Sequence, residues 1–195
     1  MNNRTIILIC LIILIAGVTN WLLDQSVTET APALPGDNDP DLYMANAEIV
    51  SYDESGQIQH RIKASRFTHF PANDVTVLKD PDLDLLTGEA WNIAARHGQL
   101  LPKPAHPEQM VEFWEHVVAT RESPDGGFTN IQTERLSVFP DRDYAETDET
   151  VYIDNPSGRT SAAAMKAWFD PGRYQFFSDA GERVNTTLLP DSLRE

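Results

Sequence analysis

The sequence predicts an all-β domain carried behind one membrane-spanning helix. Three observations predict it. Residues 6–23, IILICLIILIAGVTNWLL, carry no charged side chain. From Tyr43 onward, short runs alternate apolar and polar residues, and no stretch keeps the period of an amphipathic helix. A template also recurs: IKASRFTHFPANDV at 62–75 returns 69 residues later as IQTERLSVFPDRDY at 131–144.

The helix comes first. Eighteen residues rise about 27 Å, close to the roughly 30 Å hydrocarbon core of a bilayer. Trp21 stands near one end, where an indole suits the interface. The apolar run is longer than that of a cleaved signal peptide. The first A-x-A site after the span, Ala31-Pro32-Ala33, lies well past Leu23 and contains a proline, so a retained anchor is expected. Cys10 is mid-span behind Ile9 and reads as a buried apolar thiol, not a lipidated one. Arg4 is the only charged side chain before the span, while Asp24, Glu29, Asp37, Asp39 and Asp41 follow it. That asymmetry puts the amino terminus in the cytoplasm and the bulk outside. With no cysteine after position 10, cysteine usage does not fix the compartment.

The expected organisation is a cytoplasmic start at 1–5, the span at 6–23, an acidic linker at 24–42, a β domain at 43–182 and a tail at 183–195. The linker, DQSVTETAPALPGDNDPDL, is polar and proline-bearing. Asp37, Asp39 and Asp41, with Glu48, imitate a calcium loop. Leu42 stands where that loop needs glycine and Pro40 intrudes, so no metal is expected. Setting Arg4 aside, 14 basic residues face 30 acidic ones, a formal −16. Such a surface repels phosphate backbones, which excludes nucleic acid as a partner.

The strands follow from alternation and punctuation. Two runs in NAEIVSYDESGQIQHRIKA flank a turn at Asp53-Glu54-Ser55-Gly56. Further runs at 75–79, 82–87, 91–95, 110–121, 128–139, 144–154 and 160–178 are separated by Pro-, Asp- and Gly-bearing turns. This spacing argues a sandwich, barrel or jelly roll. Looser copies of the template at 92–102 and 161–174 give starts near 62, 93, 131 and 161, a repeat of roughly 30–38 residues. Ile62 and Ala64 share a face but Phe67 lies three residues on, which calls for a bulge or bend before the turn.

The inward set is Ile62, Ala64, Phe67, Leu83, Leu85, Trp91, Ile93, Val111, Phe113, Ile131, Val151 and Ile153, with Thr133 sharing the face of Ile131. By default these residues fit an ordinary core; the sharper alternative is an apolar slot left open at one edge for lipid and widened by Ala64, Ala95, Thr133 and Ala163. No catalytic pattern is present. The five histidines lack metal spacing, and there is no G-x-S-x-G, phosphate loop or cysteine nucleophile outside the span. Asp141, Asp143, Asp148 and Glu149 read as a solvated turn. Neither an enzyme nor a cofactor is expected.

The block NDPDLYMANAEIVSYDESGQIQHRIKASRFTHFPANDVTVLKDPDLDL (38–85), with WNIAARHGQLL (91–101) and TERLSVFPDRDYAETDETVYI (133–153), resembles the LptC family, the bitopic inner-membrane component of lipopolysaccharide transport. The resemblance implies an open β-jellyroll, a twisted boat shared with the periplasmic bridge protein LptA. It implies an apolar interior that takes the acyl chains of lipid A. Lipopolysaccharide would arrive from the LptB-LptF-LptG transporter and leave to LptA by β-strand addition. The runs at 43–52 and 57–65 would then form the permease-side edge, and those at 160–168 and 173–178 the exit edge. Gly56 and Gly158 would shape turns at those edges. The alternative is a tethered structural β module that recruits envelope partners by strand addition without binding lipid.

Overall fold

The computed structural model describes residues 39–88, 90–101, 109–123, 126–170, 172–179, 181 and 183–189. The expected span 6–23 and the linker up to residue 38 lie outside the described residues. No helix among the described residues is long and apolar enough to cross a membrane.

Among the described residues fourteen strands, all paired antiparallel, form one sheet. β1 (Leu42–Tyr52) and β2 (Ile58–Phe70) are long. β3 (Val75–Lys79), β4 (Asp82–Leu85), β5 (Trp91–Ala94) and β6 (His97–Leu101) are short. β7 (Met110–Glu122) and β8 (Phe128–Phe139) are long again. β9 (Tyr144–Thr147), β10 (Val151–Asn155), β11 (Gly158–Ala162), β12 (Ala164–Trp168), β13 (Arg173–Phe177) and β14 (Asn185–Leu188) are short.

The pairings reduce this order to something simpler. β2 pairs with β3 through residues 66–70 and with β4 through residues 60–63. β7 pairs with β6 through residues 110–114 and with β5 through residues 118–120. β3 and β4 are therefore two halves of one bent ribbon, as are β5 and β6. The same holds for β9 with β10, β11 with β12 and β13 with β14. Four long strands and five split pairs make nine bent ribbons, each hydrogen-bonded to the next in chain order.

Every ribbon bends at the same level, so the sheet is creased into two facing arms. The first arm holds β3, β6, β9, β12, β13 and the adjoining halves of β1, β2, β7 and β8. The second holds β4, β5, β10, β11, β14 and the other halves. Each arm ends in a rim of hairpin turns, at 71–74, 140–143 and 169–172 on the first and 53–57, 86–90 and 156–157 on the second.

Local chemistry sets the crease. Asn46 (φ 48°) interrupts β1, Asp80 (φ 48°) joins β3 to β4, and Glu115 (φ 67°) and His116 (φ 60°) break β7, where the register shifts between Trp114 and Val117. Asn and Asp tolerate this left-handed region better than other side-chain-bearing residues. Ala64, Ala95, Thr133 and Ala163 all stand beside the bends. Face-to-face sheets need about 10 Å of separation, and toward a crease that distance shrinks until only small side chains fit. Small side chains at these four positions fit the narrowing toward the fold line.

The bend also explains the parity break. Ile62 and Ala64 point inward before it and Phe67 after it. In the second copy Ile131 and Thr133 precede the bend, with Leu136 and Val138 after it. The 69-residue template is thus a long ribbon, a Pro-Asp turn on the first rim and the returning ribbon: β2–β3 in one copy, β8–β9 in the other. The expected unit of roughly 30–38 residues is half of this repeat, one ribbon and its return. Positions 62, 93, 131 and 161 stand in β2, β5, β8 and β11, the second-arm part of every second ribbon. The segment 183–195, expected as a tail, supplies β14, which pairs with β11.

Candidate functional site

The inner faces of the two arms meet in one apolar core. All twelve residues expected to face inward belong to it, none more than 6% exposed. Ile62, Leu83, Leu85, Trp91, Ile93, Ile131, Val151 and Ile153 line the second arm. Phe67, Val111 and Phe113 line the first, and Ala64 lies at the crease. Alternation missed Leu78, Leu136, Val138, Ala145, Met165 and Ala167 on the first arm, because each bend resets the count.

The interior is filled by its own side chains. Hollows of about 410, 630 and 400 Å³ open on the molecule, and of the twelve residues only Ala64 borders one of them. Each hollow has charged lining residues, such as Glu134 and Glu149 in the first and Asp154 and Arg159 in the second.

On the side away from the crease, the rims touch. Thr87 Oγ1, in turn 86–90 of the second arm, donates a hydrogen bond to Asp143 Oδ1, in turn 140–143 of the first. The Trp91 ring of β5 packs against Phe169 at a centroid separation of 4.7 Å, the two planes tilted by 37°. Phe169 is 3% exposed although it lies beyond the end of β12. Its backbone N–H donates to Asp143 O at 2.7 Å, tying turns 140–143 and 169–172 together. The Arg121 guanidinium lies 5.4 Å from the Trp91 ring centre and donates to Thr129 Oγ1 at 3.3 Å.

This seam carries the strained electrostatics. Burial pushes the Asp143 carboxyl above the usual carboxylate range, Asp170 adds to the rise, and Thr87 and His60 oppose it. Burial likewise pushes the His60 imidazole below its ordinary value, against the pull of Asp141 and Asp143. His60 Nδ1 and Trp91 Nε1 are buried with no hydrogen-bond partner among the described residues. Reading 141–149 as a solvated turn is therefore corrected for Asp143, whose carboxylate closes onto the opposite arm. Its counterpart one repeat earlier, Asp74, instead bonds His69 Nε2 within its own arm at 3.1 Å.

His69 behaves oppositely to His60. Asp41 at 2.6 Å and Asp74 raise its pKa. A raised imidazole stabilises fully below its unfolded pKa of about 6.5 and loses that contribution as pH rises through its folded pKa. A lowered one loses stability as pH falls below about 6.5. In a two-dimensional NMR titration His69 is expected to titrate above His60, and Asp41→Asn to bring the His69 midpoint down while leaving His60 in place. A shared midpoint would contradict the seam described above.

The sheet's two free edges differ from those expected. Among the described strands β1 pairs only with β2, and β13 and β14 complete the other end. β2 lies inside the sheet between β1 and β3/β4, and β11 and β12 lie inside it between β9/β10 and β13/β14. The edges therefore narrow to 42–52 on one side and to 173–177 with 185–188 on the other. β1 leaves Leu42, Tyr43 and Tyr52 exposed, and β14 leaves Leu188 exposed. Gly56 is an exposed turn residue at φ 82° in a loop held by Asp53, which accepts from Ser55 N and Gln57 N. Gly158 has a further role. At φ 148° it lies so close to β14 that a Cβ would stand 2.0 Å from Thr187 O.

An antiparallel sheet creased around an apolar interior, with a free strand at each end, defines a β-jellyroll of the LptA type. It resembles the crystal structure of LptH, the LptA-homologous periplasmic component of the lipopolysaccharide transport device from Pseudomonas aeruginosa, with a TM-score of 0.51 over 80% of this chain and 100% of that one. At 11% identity the likeness is one of fold. The family model described as "Lipopolysaccharide-assembly, LptC-related" matches residues 8–180, and the chain belongs to the LptC family. The comparison with curated proteins finds no match.

Proposed function

We propose that this chain is the membrane-tethered stage of lipopolysaccharide export, holding acyl chains between its two arms. Residues 6–23 anchor it in the inner membrane with the amino terminus in the cytoplasm, and the β domain stands in the periplasm. It takes lipopolysaccharide from the LptB-LptF-LptG transporter at the β1 edge and passes it to LptA at the β13–β14 edge. Unpaired N–H and C=O groups of an edge strand let a neighbouring jellyroll add its own strand.

The carrying observation is the continuous apolar lining of both arms by Ile62, Leu83, Trp91, Phe67 and Phe113, all buried in one core. Charge argues the same way. The chain is formally −15, so it offers no general grip on a polyanionic headgroup. Burial of acyl CH₂ groups supplies the affinity, at about 0.8 kcal/mol each. The interior is closed in this structure, so the arms must separate at the rims to admit a chain.

That closure favours a second reading, a filled-core module that recruits envelope partners by strand addition alone. Mass spectrometry of the full chain purified from membranes separates the two. Lipid A bound to the folded protein is the expected result, and lipid-free protein of undiminished stability would favour the module.

A further inference from the structure

We propose that the contact between turn 86–90 and turns 140–143 and 169–172 is a latch over the mouth of the interior, with Phe169 occupying the place on Trp91 that an incoming alkyl chain takes. The inference rests on the lipid-binding reading above and adds where the chain enters and what must move.

At the crease, backbone runs continuously from arm to arm in every ribbon, so the arms cannot part there without breaking the sheet. On the opposite side the rims are hairpin turns held to one another by side chains. The Thr87–Asp143 hydrogen bond and the Trp91–Phe169 ring contact span that gap. Opening therefore costs least at the mouth, and these are the contacts it must break.

Phe169 has the character of a plug. It is 3% exposed yet lies outside any strand, at the start of a turn. Its neighbour across the mouth, Trp91, belongs to β5, while turn 140–143 holds Phe169 in place through the bond to Asp143 O. Moving turns 140–143 and 169–172 together uncovers Trp91 without disturbing the ladder of the second arm.

The seam also leaves two polar atoms in need of a partner, Trp91 Nε1 and His60 Nδ1. A buried indole N–H without an acceptor is destabilising. An acyl chain brings an acceptor at its head, the carbonyl oxygen of its ester, amide or carboxyl group. A chain entering tail-first past Phe169 would carry that oxygen to the rim, where both nitrogens lie.

A disulfide across the mouth tests this. A Cβ built on Gly88 stands 3.6 Å from Asp170 Cβ, inside the roughly 3.5–4.5 Å range of disulfides. Cys10 is the only natural cysteine, so Cys10→Ser with Gly88→Cys and Asp170→Cys leaves a single pair. The full chain in detergent is exposed to a fatty acid carrying a diazirine, irradiated, and mapped by mass spectrometry. Labelling of peptides bearing Ile62 and Phe113 is expected to fall about tenfold in the oxidised form and return on reduction, because the locked population cannot open. The oxidised and reduced samples are one polypeptide, so strain at Gly88 is common to both. In the natural background Phe169→Ala is expected to raise the same labelling. Equal interior labelling in both redox states would overturn the latch and leave the lipid reading standing. No interior labelling in the reduced variant or in the unaltered chain would overturn the lipid reading, and the latch with it.

Discussion

Replacing Phe113 by alanine is expected to lower folding stability by about 3–5 kcal/mol, a large part of the 5–15 kcal/mol that a domain commonly has. Phe113 is fully buried on β7, between Gly98 of β6 and Leu136 of β8 in the ladder. Gly98 offers no side chain to refill the space. Two neighbours, Glu112 O and Pro81 Cγ, stand 3.1 Å from where its Cβ would be, so the backbone there is already tight. The cavity left by the ring therefore persists. Urea denaturation should show a lower midpoint at unchanged slope. Phe128→Ala, on the outer face at 47% exposure, should stay within about 0.5 kcal/mol of the parent. A Phe113→Ala cost below about 1 kcal/mol would mean that the interior is loosely packed, against the structure.

Gly158→Val carries the second large effect, and its site is local. The left-handed φ of 148° costs a β-branched residue about 1–3 kcal/mol. The side chain would also meet Thr187 O, 2.0 Å from its Cβ, and Leu188 Cα at 3.0 Å. β14 is the last ribbon half and is held by the register Gly158↔Leu188 to Ser161↔Asn185, so it is the part that can yield. Hydrogen exchange should show amides 185–188 losing protection while β2 and β7 keep theirs. Gly56→Ala is the control. It has positive φ but nothing within 4 Å of its Cβ, and should cost only about 1–2 kcal/mol with no loss at β14. If protection at 185–188 survives Gly158→Val, β14 is not held by this close approach. Because β14 is half of one free edge, the same variant should weaken strand addition there.

Much of this was legible in the residues. Alternation and Pro-Asp-Gly punctuation place the hairpins, and inward residues such as Leu83, Ile93 and Val151 follow from parity within one half-ribbon. Parity fails at Ser65–Arg66, Glu115–His116 and Glu134–Arg135, where the ribbons bend, and residues beyond a bend, such as Leu136, escape it. Small residues signalled something real, but a crease and a slot ask for the same alanines. The mouth was not legible. Thr87 and Asp143 are 56 residues apart and belong to ribbons that are not neighbours in the sheet. Nothing local distinguishes Asp143 from Asp74, since both sit at left-handed φ in matching turns. Only the facing of the two arms gives one a partner across the gap and the other a partner in its own arm.

The central claim is that acyl chains lie between the arms. The most direct measurement places a photo-crosslinking amino acid in turn at Ile62, Leu85, Trp91 or Phe113 in the full chain in cells, with exposed Lys79 as the outside control. Lipopolysaccharide adducts at the interior positions and none at Lys79 are the expected result. Adducts of equal yield at all five positions, or at Lys79 alone, would contradict it.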